Sequence, residues 1–171
     1  AEAYHQRWFD SHLPVDGSVH YRALGASLGG LAIAGPRARD VLAALADVDV
    51  GGEDFRLLDI RAMNLGSVPA LVGRISFTGD LGYEMWVEPA YLAPLFDLLT
   101  EAGVEHGMAL FGGHALNSLR LEKSYGSWAS EYRPIYDPYE AGLGMFVRPD
   151  KGDFIGRDAV RAVREAGPMR T

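Results

Sequence analysis

There is no cysteine among the 171 residues. That absence removes disulfides, thiolate zinc sites, iron–sulfur ligation and cysteine nucleophiles together, and it fits a cytoplasmic protein. No apolar run approaches the roughly 18 residues of a membrane span. The opening AEAYHQRWFD has neither the apolar core of a signal peptide nor an initiator Met. The chain therefore reads as processed, tagged and cleaved, or cut from something longer. Positive charge is also short: 16 basic against 23 acidic residues leave a formal net charge of −7. A nucleic-acid binder would normally carry a basic patch or stripe, so the charge disfavours one and no nucleic-acid partner is expected.

Motifs that would spell out a common chemistry are missing too. The pairs Gly29-Gly30, Gly51-Gly52 and Gly112-Gly113 fit neither a phosphate loop nor a dinucleotide turn. His5, His12, His20, His106 and His114 never stand at i and i+4, so no metal site is expected. Ser118 and Ser127 lie outside any nucleophile-elbow context. What remains is an ordinary globular composition, 48% apolar and 23% charged. A chain of this length can bury roughly 70% of its unfolded surface.

Periodicity predicts a helix ending at 4–9, strands at 19–24 and 31–35, and a helix opened by Gly35-Pro36. Segment 55–66 reads as strand with a break. VPALVGRISF (68–77) and the run at 83–88 form a strand-turn-strand unit around Thr78-Gly79-Asp80. In YLAPLFDLLTEAG, Leu92, Leu95, Phe96 and Leu99 repeat at helical spacing, with Gly103 as the C-terminal cap. A helix over 112–122 should turn Ala115, Leu116 and Leu119 inward. Residues 124–140 are irregular and rich in aromatics (Trp128, Tyr132, Tyr136, Tyr139), either a ligand wall or the packing of a long loop. Segment 140–147 reads as strand, and 153–167 as a turn and a short helix ended by Gly167. Mixed elements without a βαβ repeat make the fold class α+β, with sub-lobes at about 18–103 and 104–167.

The stretch FTGDLGYEMWV holds the most informative carboxylate. Alternation puts Tyr83, Met85 and Val87 on one face and Glu84, Trp86 and Glu88 on the other. Glu84 is either part of a polar strand edge or the reader of a ligand. An ionised carboxylate can accept two parallel hydrogen bonds, and a 2-amino-4-oxo-pyrimidine ring presents two such donors side by side. Spacing leaves both readings open.

Four blocks stand in order: GGLAIAGPRARDVL, TGDLGYEMWV, LRLEKSYGSWASEYRPIYDPYEAGLGMFV and KGDFIGRDA. Together they resemble the folate-binding aminomethyltransferase family, represented by the glycine-cleavage T-protein. Within it they are similar to the C-terminal folate domain of dimethylglycine and sarcosine dehydrogenases. The resemblance covers most of residues 4–166. It implies lobes around a central tetrahydrofolate site, a C-terminal β-barrel beyond this chain, and a catalytic aspartate upstream of residue 1. FAD would belong only to a further upstream domain. Glu84 matches the family glutamate that binds the pterin end of the folate, and Tyr83, Trp86 and Arg120 would line or brace the pocket. No catalytic residue and no metal is assigned.

Two positions depart from the family pattern. Phe77 replaces a tyrosine, and Leu116 replaces an arginine that contacts folate. Folate-dependent iron–sulfur assembly factors share the fold but carry a cysteine where this chain has Lys123-Ser124-Tyr125-Gly126. The function implied is a tetrahydrofolate-binding domain of a one-carbon (aminomethyl or methylene) transferase in an N-methylamine dehydrogenase-like protein. A non-catalytic folate-fold binding module and a demethylase acting on another methyl donor are the alternatives. Apolar surface left open by the missing segments would favour an oligomer.

Overall fold

A computed structural model describes residues 2–167. Contacts divide the chain into two compact units, Ala1–Leu119 and Arg120–Thr171.

The first unit is built on a four-stranded antiparallel sheet: β1 (Gly29–Ala34), β2 (Ile60–Leu65), β3 (Val68–Gly73) and β4 (Gly82–Val87). The spatial order is β1-β4-β3-β2, which makes β4 central. β2 and β3 form a hairpin closed by Gly66, whose φ of 59° is the left-handed conformation such a turn demands. One sheet face carries Ile33, Met63, Leu65, Val68, Ala70, Val72, Tyr83, Met85 and Val87, all buried. Against it lie α2 (Ala38–Ala43) and α3 (Leu92–Gly103), through Val41, Leu42, Leu95 and Leu99. Fully burying one such aliphatic side chain is worth about 1.5–3 kcal/mol, so this single layer holds the unit together. α1 (Glu2–His12) buries none of its residues.

Several local expectations are corrected. Residues 19–24 form no strand: they are exposed, and the turn before them is an Asx turn in which Ser18 N donates to Asp16 Oδ1. Gly103 is not the helical cap. It keeps a helical φ of −75° and packs so closely on Met108 that a Cβ there would approach Met108 Cβ to 2.6 Å. The left-handed cap is Gly107, φ 68°, after one further 3-10 turn. Strand β3 stops at Gly73 rather than Phe77, because the chain then turns through a hydroxyl knot. Ser76 Oγ and Thr78 Oγ1 lie 2.9 Å apart, and Asp80 N donates to Thr78 Oγ1.

α4 (Gly113–Glu122) opens in the first unit and ends in the second. Its expected inward residues differ in the outcome: Leu116 and Leu119 are half-buried, Ala115 is exposed, and Arg120 is the buried one. In the second unit, residues 124–140 form successive turns. Segment 140–147 contains a 3-10 turn over Gly144–Phe146 instead of a strand. The Asp137 carboxylate starts this by accepting from the amides of Tyr139 and Glu140, which bends the chain away from extension. α5 (Arg157–Ala166) ends at Gly167, φ 78°, as expected from the sequence. No described helix is long and apolar enough to cross a membrane.

Candidate functional site

The sheet face away from the core carries the candidate site. Its residues follow from register: Gly30 opposes Trp86, Ala32 opposes Glu84, Leu71 opposes Trp86 and Gly73 opposes Glu84. Ala32 and Leu71 are exposed, while Glu84 and Trp86 are half-buried. Among the described residues, no hydrogen bond or ion pair engages the Glu84 carboxylate. Both its oxygens are therefore available as acceptors. A carboxylate on a central strand, flanked by an indole and small neighbours, is suited to a flat ring bearing adjacent N–H donors.

The Trp86 ring runs along the sheet surface. At one end of its ring, Cδ1 and Nε1 come within 3.4 and 3.7 Å of where a Cβ on Gly30 would stand. At the other end, Cη2 and Cζ3 come within 3.0 Å of a Cβ placed on Gly73. The indole thus spans from β1 across β4 to β3. Sequence reading missed these two glycines, although a glycine inside a strand is itself a signal of close approach.

Tyr83, also expected to line or brace the pocket, lies on the opposite, core face of β4. It is 0% exposed on the core face, stacked on Phe55 with centroids 5.8 Å apart. Its hydroxyl accepts from Arg39 Nε at 3.1 Å. Adjacent residues on a strand point to opposite faces, so Tyr83 and Glu84 cannot both line one site.

Arg120 is likewise a buried internal partner within the second unit. One terminal nitrogen donates to Tyr125 O at 3.0 Å and to Glu131 Oε2 at 2.7 Å. The same carboxylate oxygen accepts from the Ser127 amide at 2.8 Å. That amide, with the Arg120 guanidinium adding to it, holds the Glu131 carboxyl below the usual carboxylate range against a partial desolvation cost. A guanidinium with these partners orders a loop. Of the four residues expected to hold the cofactor, the structure sets Glu84 and Trp86 side by side.

A cleft of about 600 Å³ also occurs in the first unit, along the unpaired edge of β1. Its lining includes Ala32, Phe96, Met108 and Phe111, but neither Glu84 nor Trp86. Its walls are mainly apolar. The donor-reading carboxylate, not the larger space, marks the candidate site. Among the described residues no group of three His, Asp or Glu could hold a metal ion.

The GCVT N-terminal domain family matches residues 1–151. This chain belongs to that family. It is 35% identical over 172 residues to the mitochondrial dimethylglycine dehydrogenase of Homo sapiens, covering 99% of this chain and 20% of that protein. It is also 35% identical over 140 residues to the aminomethyltransferase of Caldanaerobacter subterraneus subsp. tengcongensis, covering 82% of this chain and 37% of that one. The chain thus spans about a fifth of the dehydrogenase relative's length. Among solved structures, a heterotetrameric sarcosine oxidase from Corynebacterium sp. U-96 aligns with a TM-score of 0.49 at 18% identity. That alignment covers 57% of this chain and 49% of the oxidase chain. The GCVT-family domain is therefore an aminomethyltransferase-like α+β domain related to the dimethylglycine and sarcosine dehydrogenases.

Proposed function

We propose that this domain binds tetrahydrofolate as part of a one-carbon transferase that handles an N-methylamine substrate within a longer protein. The observation that carries the reading is Glu84: a carboxylate with both oxygens unengaged, on an open sheet face beside an indole. Its two acceptor oxygens fit the pterin ring, whose amino group and ring N–H present parallel donors. Glu84 would grip that ring by its edge, and Trp86 would support its face. Bound tetrahydrofolate supplies a nucleophilic ring nitrogen able to take up a one-carbon unit. The work of this chain's residues is to orient the ring, since no acid or base is assigned here.

The test is calorimetric titration of tetrahydrofolate into this chain and into Glu84→Ala. Saturable binding is expected, weakened at least about tenfold by the substitution, the size of a lost hydrogen bond to a charged group. Absence of binding, or equal affinity of the two proteins, would defeat the assignment of the site.

A second reading, binding without chemistry, is favoured by Phe77. It is 45% exposed beside the Thr78 turn and offers no hydroxyl to a ligand. One-carbon transfer by the intact longer protein separates the two: formation of methylenetetrahydrofolate from an N-methylamine removes the binding-only reading.

A further inference from the structure

The Trp86 indole has an unusual seat for a strand tryptophan. Side chains normally rise roughly perpendicular to a sheet. Here the six-membered end of the ring crowds the place where a Cβ at position 73 would stand. An alanine Cβ there would stand 3.0 Å from both Cη2 and Cζ3, and 3.3 Å from Ile75 Cγ2. At the five-membered end, a Cβ on Gly30 would reach only 3.4 Å, so that position is nearly permissive. The φ of Gly73 is not positive, so no left-handed backbone explains glycine there. Its missing side chain is what lets the indole lie down.

We propose that Gly73 is a positioning residue, which holds Trp86 flat as the stacking floor of a site for a reduced pterin ring. The inference rests on the folate reading of Glu84 and adds the ring's second contact. Glu84 and Trp86 are two residues apart on β4, roughly 7 Å along the strand, so one bicyclic ring can meet both. A ring stacked on a flat indole lies parallel to the sheet, and its donor edge then faces a carboxylate that stands up from it. A tilted indole would present an edge instead, and the ring could not meet both groups at once. Gly73 opposes Glu84 in register, so one small residue clears room for both contacts.

The experiment uses the whole chain with Trp8 and Trp128 changed to Phe, leaving Trp86 as the one tryptophan of the three. The probe is 6-methyltetrahydropterin, which has the ring without the folate tail. Gly73→Ala should raise acrylamide quenching of Trp86 and weaken the probe about tenfold, the worth of one ring-on-aromatic stack. Gly30→Ala should give a smaller loss. In a Trp86→Leu background, Gly73→Ala should cost no further affinity, because its effect passes through the indole. Urea midpoints taken on each variant exclude simple unfolding. Unchanged quenching in Gly73→Ala overturns the seat, whatever the ligand does. Raised quenching with unchanged affinity overturns the floor while Glu84 keeps its role. An equal loss with Leu at position 86 overturns the coupling. If Glu84→Ala also leaves probe binding unaltered, the pterin reading itself fails, and the quenching result still stands for the seat.

Discussion

Replacing Tyr83 by Ala is expected to cost about 3–5 kcal/mol of folding stability, as large-to-small changes of buried aromatics do. The cause is visible on both sides of the ring. Tyr83 is 0% exposed, stacks on Phe55 at an interplanar angle of 26°, and lies on the central strand β4. Its removal opens a cavity that the surrounding sheet and helix cannot close, because strand register fixes the neighbours in place. Tyr83→Phe isolates the hydroxyl. It should cost only about 1 kcal/mol, the net worth of the hydrogen bond from Arg39. Urea unfolding of the three proteins measures both quantities. Tyr83→Phe should also bind tetrahydrofolate as the parent does, since its hydroxyl faces the core. A folded Tyr83→Ala protein with an unmoved urea midpoint but no folate affinity would return Tyr83 to the pocket.

Arg120→Met should unlock the loop that follows α4 without unfolding the first unit. The buried guanidinium ties Tyr125 O to the Glu131 carboxylate, and that carboxylate in turn holds the Ser127 amide. The loop is tight: a Cβ on Gly126 would come within 2.2 Å of the Tyr132 ring, whose hydroxyl accepts from the Gly126 amide. Hydrogen exchange at the Gly126 and Ser127 amides should accelerate at least about tenfold in Arg120→Met, because local opening loses its main brace. The same clasp should respond to acid. The folded-state pKa of Glu131 is depressed from an ordinary value of 4.5, chiefly by the Ser127 amide. Its contribution is thus fully present above 4.5 and is lost as the pH falls through the lower folded value. Exchange of these amides, corrected for intrinsic rate, should rise on acidification below that value in the parent and stay flat in Glu131→Gln. Equal protection in Arg120→Met and the parent would show that the loop is held by other contacts.

The legible parts of the sequence were those with a strong local cause. The alternation in GYEMWV placed Tyr83, Met85 and Val87 in the core and left Glu84 and Trp86 outside, because a strand has no other way to arrange neighbours. The helical spacing of Leu92, Leu95 and Leu99 yielded α3, although Phe96, expected in the same stripe, is 40% exposed. Four ordered motifs carried the family. Segments 19–24 and 140–147 failed as strands for one shared reason. Apolar content alone does not make a strand: it needs a neighbour with which to share hydrogen bonds, and turn-forming carboxylates compete locally for the same amides.

By itself, the sequence determined the α+β class, the two faces of β4, the family, and the absence of thiol chemistry from this chain. Tertiary structure alone decided the roles of three residues. Tyr83 became a core residue once Phe55 and Arg39, 28 and 44 positions distant, closed on it from elsewhere in the chain. Arg120 became a loop clasp because Glu131 folds back to it. Trp86 came to reach across three strands because β1 and β3 bring glycines to either end of its ring. Local periodicity tells which way a side chain leaves its strand. Which groups it meets depends on contacts between residues far apart in the chain, and those exist only once the sheet has formed.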